Sequence, residues 1–154
     1  MLFLALAIFL LLSISGESAP EVSFTTITGK KIALNELRGN TVIVTFWASD
    51  CPACIKEMPD LIDLYRKFHD SGLEIIAVAM AYDPPSHVVA MSQAKQLPYD
   101  VALDLNSAYA LAFGHVQWIP STFLIDPKGH IVKKYTGTFD LEEMKQLMTT
   151  LTQG

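Results

Sequence analysis

Two cysteines, Cys51 and Cys54, are the only ones in this 154-residue chain, and two residues separate them. At that spacing the two thiols can close a small disulfide ring and open it again. An apolar, β-branched run, Val42-Ile43-Val44-Thr45-Phe46-Trp47, leads into them. A helix-periodic run leaves them, with Ile55, Met58, Ile62 and Tyr65 in register. A dithiol where a buried strand passes into a helix suits thiol–disulfide exchange.

The helix end supplies the chemistry. Its first backbone N–H groups lack internal partners, and the aligned peptide dipoles add positive charge there. A thiolate at that end is stabilised, so its pKa falls from about 8.5 into the range of roughly 3.5 to 7.5. Cys51 is expected at or just before the first helical residue, and Pro52 suits that first position because it has no N–H to satisfy. Cys54 lies one turn further in, on the same side and less exposed. Cys51 is therefore expected to attack a substrate disulfide, and Cys54 to resolve the mixed disulfide that results. Two plainer uses of the pair fit less well. A structural zinc site needs four ligands, and none of His69, His87, His115 and His130 stands at the short spacing of a second ligand pair. A staple closing so small a ring removes little chain entropy.

The elements that must hold the dithiol can be read from the remaining pattern. Val22 to Leu34 reads as a hairpin turning at Thr28-Gly29-Lys30, and Asn35–Arg38 as a single helical turn closed by Gly39. Val42–Trp47 is near-continuously apolar, as a strand covered on both faces is. A helix follows from Pro52 to about Asp70, with Pro59 expected to kink it. Gly72 stops that helix, and Leu73–Met80 is a second buried strand, parallel to the first through a right-handed crossover. Asp83-Pro84-Pro85-Ser86 breaks the chain and caps a helix over His87–Gln96. Asp100–Leu103 is a short strand, and Asn106 caps a brief helix to Phe113. Ser121–Ile125 and Ile131–Tyr135 form an antiparallel pair through the turn Asp126-Pro127-Lys128-Gly129. Asp140 caps a last helix, with Leu141, Met144, Met148 and Leu151 on one face.

Apolar residues make up 51% of the chain and charged residues 18%, with a formal net charge of −5. This is one globular domain without a basic run, so nucleic acid is not an expected partner. Met1–Leu12 is uninterrupted apolar sequence, too short for a membrane span of about 20 residues but suited to a signal-peptide core. Gly16 and Ser18 are the small residues before a cut at Ala19. Residues 1–18 are thus expected to be a signal peptide or a short retained membrane anchor, and 19–154 the folded domain. No Lys or Arg precedes the apolar run, so the α-amino group or upstream sequence must supply the leader's charge. Export suits a thiol protein of an oxidising compartment.

Several segments together resemble the thioredoxin family, in particular its exported TlpA/ResA/DsbE-type thiol–disulfide oxidoreductases. They are Ala33-Leu34-Asn35-Glu36-Leu37-Arg38-Gly39, Phe46-Trp47-Ala48, Cys51-Pro52-Ala53-Cys54, Pro59, and Ile119-Pro120-Ser121-Thr122-Phe123-Leu124-Ile125-Asp126. The resemblance implies an α/β thioredoxin fold: a mixed central sheet flanked by helices, with an N-terminal β-hairpin and a central strand–helix insertion. It implies a cis Ile119–Pro120 bond facing Cys51, with the backbone of Ile119 free to pair with an extended substrate. Trp47 and Trp118 would form an apolar docking rim, unless either belongs to the core. The implied function is reduction of disulfides in protein partners, of the apocytochrome c or metal-site assembly type. A membrane thiol-reducing system would donate the electrons, outside the cytoplasm or in a periplasm. Neither cofactor nor metal is implied, and a monomer is expected.

The chain departs from that pattern in three places. Asp50 stands where the family usually has Trp, and its charge opposes thiolate formation at Cys51. Thr45 occupies the position of the buried Asp of ordinary thioredoxins, and Asp83 is the nearest substitute as proton acceptor. No His lies between the cysteines, so little stabilises the reduced form in the manner of a strong oxidant. Competing functions on the same fold are a disulfide oxidase or isomerase, and a copper-binding assembly factor using Cys51, Cys54 and a His such as His115.

Overall fold

The computed structural model describes residues 16–152. Most of the expected leader, residues 1–15, lies outside them. Strand β4 (Thr41–Trp47) is the centre of the molecule, and all seven of its residues are buried. It pairs parallel with β5 (Leu73–Ala79) and antiparallel with β7 (Ser121–Ile125). β6 (Asp100–Leu103) continues the sheet parallel beyond β5. β8 (His130–Thr136) continues it antiparallel beyond β7, and the two-residue β1 (Glu17–Ser18) pairs with His130 and Ile131. The six-stranded mixed order is β1-β8-β7-β4-β5-β6. Glu17 and Ser18, expected in the leader, therefore lie on the sheet edge.

Helices α1 (Pro52–Phe68), α2 (Pro85–Ala94) and α4 (Leu141–Thr152) cover one face, with Leu64, Val88, Met144 and Met148 in its core. The other face carries α3 (Ala108–Ala112) and the hairpin β2 (Ser23–Thr25) and β3 (Lys31–Ala33), packed through Phe24, Ile32, Ala110 and Phe113. The hairpin docks on the free edge of β6, where Thr26 bridges Ala102 and the Ile27 N–H donates to the Val101 carbonyl at 2.8 Å. The expected strand–helix insertion is α2 with β6.

Three local expectations are corrected. The buried stripe of α1 is Cys54, Glu57, Met58, Leu61, Leu64 and Phe68, rotated from the Ile55, Met58, Ile62, Tyr65 register. α2 starts at Pro85 without a side-chain cap, because its N-cap residue is Pro84, which has no side-chain acceptor, while the Asp83 carboxylate one position earlier binds Ser49. At α3 the Ala108 N–H donates to Asn106 Oδ1, but the buried Asp104 carboxylate takes the Tyr109 and Ala110 N–H groups at 3.0 and 2.8 Å. Asp140 caps α4 as expected, its Oδ1 accepting the Glu143 N–H at 2.7 Å.

Candidate active site

The polypeptide leaves β4 at Trp47 and makes a tight turn over Ala48–Cys51, closed by the Cys51 N–H donating to the Ala48 carbonyl at 3.2 Å. The turn delivers Cys51 to the N-cap of α1 in an extended conformation, with Pro52 as the first helical residue. Cys51 Sγ accepts the Cys54 N–H at 3.2 Å, so the sulfur takes up one of the unpaired amides of the helix end. The two cysteines are joined as a disulfide with their Cα atoms 5.2 Å apart. Cys51 keeps 9% exposure and Cys54 3%, so Cys51 is the less deeply buried residue of the pair.

Behind the disulfide lies a cavity of about 10 Å³, lined among others by Thr45, Trp47, Cys54, Glu57, Tyr99 and Pro120. That is room for about one water. Glu57, one helical turn beyond Cys54, is 4% exposed. Burial pushes its carboxyl up to about 7, and the charge of Asp60 adds to this. The Phe139 N–H, which donates to Glu57 Oε1 at 2.9 Å, pulls the other way. Tyr99 is raised well above its ordinary value by burial, then by the charge of Glu57. The Trp47 indole N–H is buried without a hydrogen-bond partner among the described residues. Thr45 pairs its hydroxyl with that of Thr122 at 2.9 Å.

Two further loops flank the turn. In the loop after β5, buried Asp83 accepts the Ser49 N–H on one oxygen at 2.6 Å and the Ser49 hydroxyl on the other at 2.7 Å. Tyr82 beside it is largely exposed, and its hydroxyl is raised by partial desolvation and then by the charges of Asp50 and Asp83. On the other side, the Ile119–Pro120 peptide bond is cis and the Gly137 N–H donates to the Pro120 carbonyl at 2.8 Å. Trp118 is 73% exposed whereas Trp47 is 3% exposed, so only Trp118 offers its ring to a partner.

Glu57 is the site residue that the sequence pattern did not single out. Its one sequence cue is its place three residues after Cys54; the expected register through Ile55, Ile62 and Tyr65 turns it to solvent, and the observed register buries it. A sulfur at a helix N-terminus, a second sulfur bonded behind it and a carboxyl of near-neutral pKa lining the same cavity as the second make an arrangement suited to dithiol exchange.

On a mixed sheet with this strand order, that site defines a thioredoxin-fold thiol–disulfide oxidoreductase. The chain belongs to the redoxin family, whose family model matches residues 14–151. It is 32% identical over 136 residues to the thiol-disulfide oxidoreductase ResA of Geobacillus thermodenitrificans strain NG80-2, covering 88% of this chain and 77% of that protein. The ResA of Bacillus subtilis strain 168 is also 32% identical, over 139 residues, covering 90% and 76%. Among solved structures, a Neisseria meningitidis protein assigned to the thioredoxins superposes with a TM-score of 0.83 at 31% identity, covering 90% of this chain and 92% of that one.

Proposed function

We propose that the protein is an exported reductant of disulfides in specific protein partners, with Cys51 attacking and Cys54 resolving. The Cys51 thiolate attacks one sulfur of the partner's disulfide and expels the other as a thiolate. Cys54 then gives up its proton and attacks Cys51 Sγ, which breaks the mixed disulfide and releases the second partner thiol. Two electrons pass to the partner, and the Cys51–Cys54 bond takes its place. A membrane thiol-reducing system restores the dithiol.

The observation that carries this reading is the Glu57 carboxyl in the same cavity as Cys54, poised at about 7. A group with that pKa accepts the Cys54 proton at neutral pH and returns it in the reverse step. Glu57 takes this task in preference to Asp83, both of whose oxygens are held by Ser49. The partner's chain is proposed to run beside Ile119 and Pro120, with the Trp118 ring against its apolar side chains. The reducing direction rests on charge. Asp50 adjoins Cys51 in sequence and Glu57 shares a cavity with Cys54, so anionic sulfur gains less here than beside a histidine. Residues 1–18 would direct or tether a monomeric domain outside the cytoplasm, where the partners include immature cytochrome or copper-site proteins. No helix among the described residues is long and apolar enough to cross a membrane.

Equilibration of the full chain against glutathione redox buffers tests the direction. A reduction potential near that of thioredoxin, about −270 mV, agrees with this account, whereas one near −120 mV makes the protein an oxidant.

A further inference from the structure

We propose that Asp83 is a positioning residue for Cys51, acting through a two-point clasp on Ser49. This inference rests on Cys51 being the attacking sulfur. The contact spans 34 positions of sequence and joins the loop after β5 to the turn after β4. Ser49 follows Ala48, whose carbonyl closes the turn onto the Cys51 N–H. Both donors of Ser49, amide and hydroxyl, end on one carboxylate that is 5% exposed. Asp83 is fixed in turn by its own N–H, which donates to the Met80 carbonyl at 3.0 Å, and Met80 is tied to Trp47 through its N–H at 3.0 Å. The chain of contacts runs from the end of β5 to Asp83, to Ser49, and through the turn to the N-cap sulfur.

The clasp matters most when the disulfide is open. In the oxidised protein the Cys51–Cys54 bond pins Cys51 to α1 by itself. After reduction that tether is gone, and the closed turn and the clasp hold Cys51 Sγ over the helix amides. Loosening the clasp lets the sulfur leave the helix end, and its pKa rises towards that of a free thiol. Asp83 acting only as a nearby negative charge predicts the opposite sign, because removing an anion makes thiolate formation easier. The titratable groups around the turn are Asp50 on the turn itself, Tyr82 and Asp83 from the loop after β5, His87 on α2, which lines a surface hollow with Ser49, and Glu57 on α1. Ser49→Ala leaves all of them in place.

The experiment measures iodoacetamide alkylation of the reduced full chain from pH 5 to 9.5, with the modified cysteine identified by mass spectrometry. Wild type, Ser49→Ala and Asp83→Ala are compared. The clasp predicts that Ser49→Ala raises the apparent pKa of Cys51 and slows its alkylation at pH 6–7 by about three- to tenfold, converging on wild type above pH 9, and that Asp83→Ala, which removes an anion together with the clasp, shows a smaller rise. An unchanged or lowered Cys51 pKa in Ser49→Ala overturns it. If Asp83→Ala does not fold, Ser49→Ala alone decides. Should Cys54 react before Cys51 in the wild type, the attacking role assigned to Cys51 fails instead, while the Cys51 curves still report on the clasp.

Discussion

Replacing Glu57 by Gln should change how the stability of the oxidised protein depends on pH. Glu57 is 4% exposed and titrates at about 7 instead of 4.5. The unfolded chain therefore releases this proton near 4.5, while the native protein keeps it to about 7. Between those values the native state binds more protons, so wild-type stability falls as pH rises through that window. Below about 4.5 both states are protonated and the group has no effect. Above 7 its full penalty applies. A carboxyl moved from 4.5 to about 7 destabilises the charged native form by about 3 kcal/mol. The glutamine of the variant has no charge to bury, and its side-chain oxygen still accepts the Phe139 N–H. The stability difference between Glu57→Gln and wild type should thus grow by about 3 kcal/mol in favour of the variant from pH 4.5 to 8. Urea unfolding of the two oxidised proteins at pH 4.5, 5.5, 6.5 and 8 measures it, and other titrating groups cancel in the difference. Parallel stability curves would show Glu57 ionising as an ordinary carboxylate, and would remove it as the proton acceptor for Cys54.

Trp118→Ala removes a ring that is 73% exposed, so urea unfolding should move by less than about 0.5 kcal/mol, while KM for a protein disulfide rises and the rate with a small disulfide stays the same. Leu64→Ala opens a cavity under α1 at a residue 1% exposed, and should lower unfolding free energy by about 2–5 kcal/mol. Asp104→Ala strips the Tyr109 and Ala110 N–H groups of their acceptor and should destabilise by roughly 1–3 kcal/mol, with faster amide exchange in α3.

Much of the site was legible because it is local. The strand before Cys51, Pro52 after it and the two-residue gap suffice to place a sulfur on a helix N-terminus, and the structure has Cys51 at that N-cap. Strand β4 was legible for a similar reason: a segment buried on both faces shows no alternation. What escaped was set by distant contacts. Glu57 reads as a solvated helix residue until β4, Tyr99 and Phe139 close over it. Asp83 stands out in the sequence as a substitute proton acceptor, but its grip on Ser49 is hidden because that partner lies far away in sequence. Asp104, instead of Asn106, takes the main capping task at α3 because the chain turns back through Ser107 with a positive φ of 60°. Trp47 and Trp118 look alike in sequence, and only the packing separates a core ring from an exposed one.

The assignment of the two sulfurs is tested most directly by single-cysteine variants reacting with glutathione disulfide at pH 7. Cys54→Ala should form a stable glutathione adduct on Cys51 at more than about ten times the rate at which Cys51→Ala forms one on Cys54. Equal rates, or faster capture at Cys54, would contradict the account.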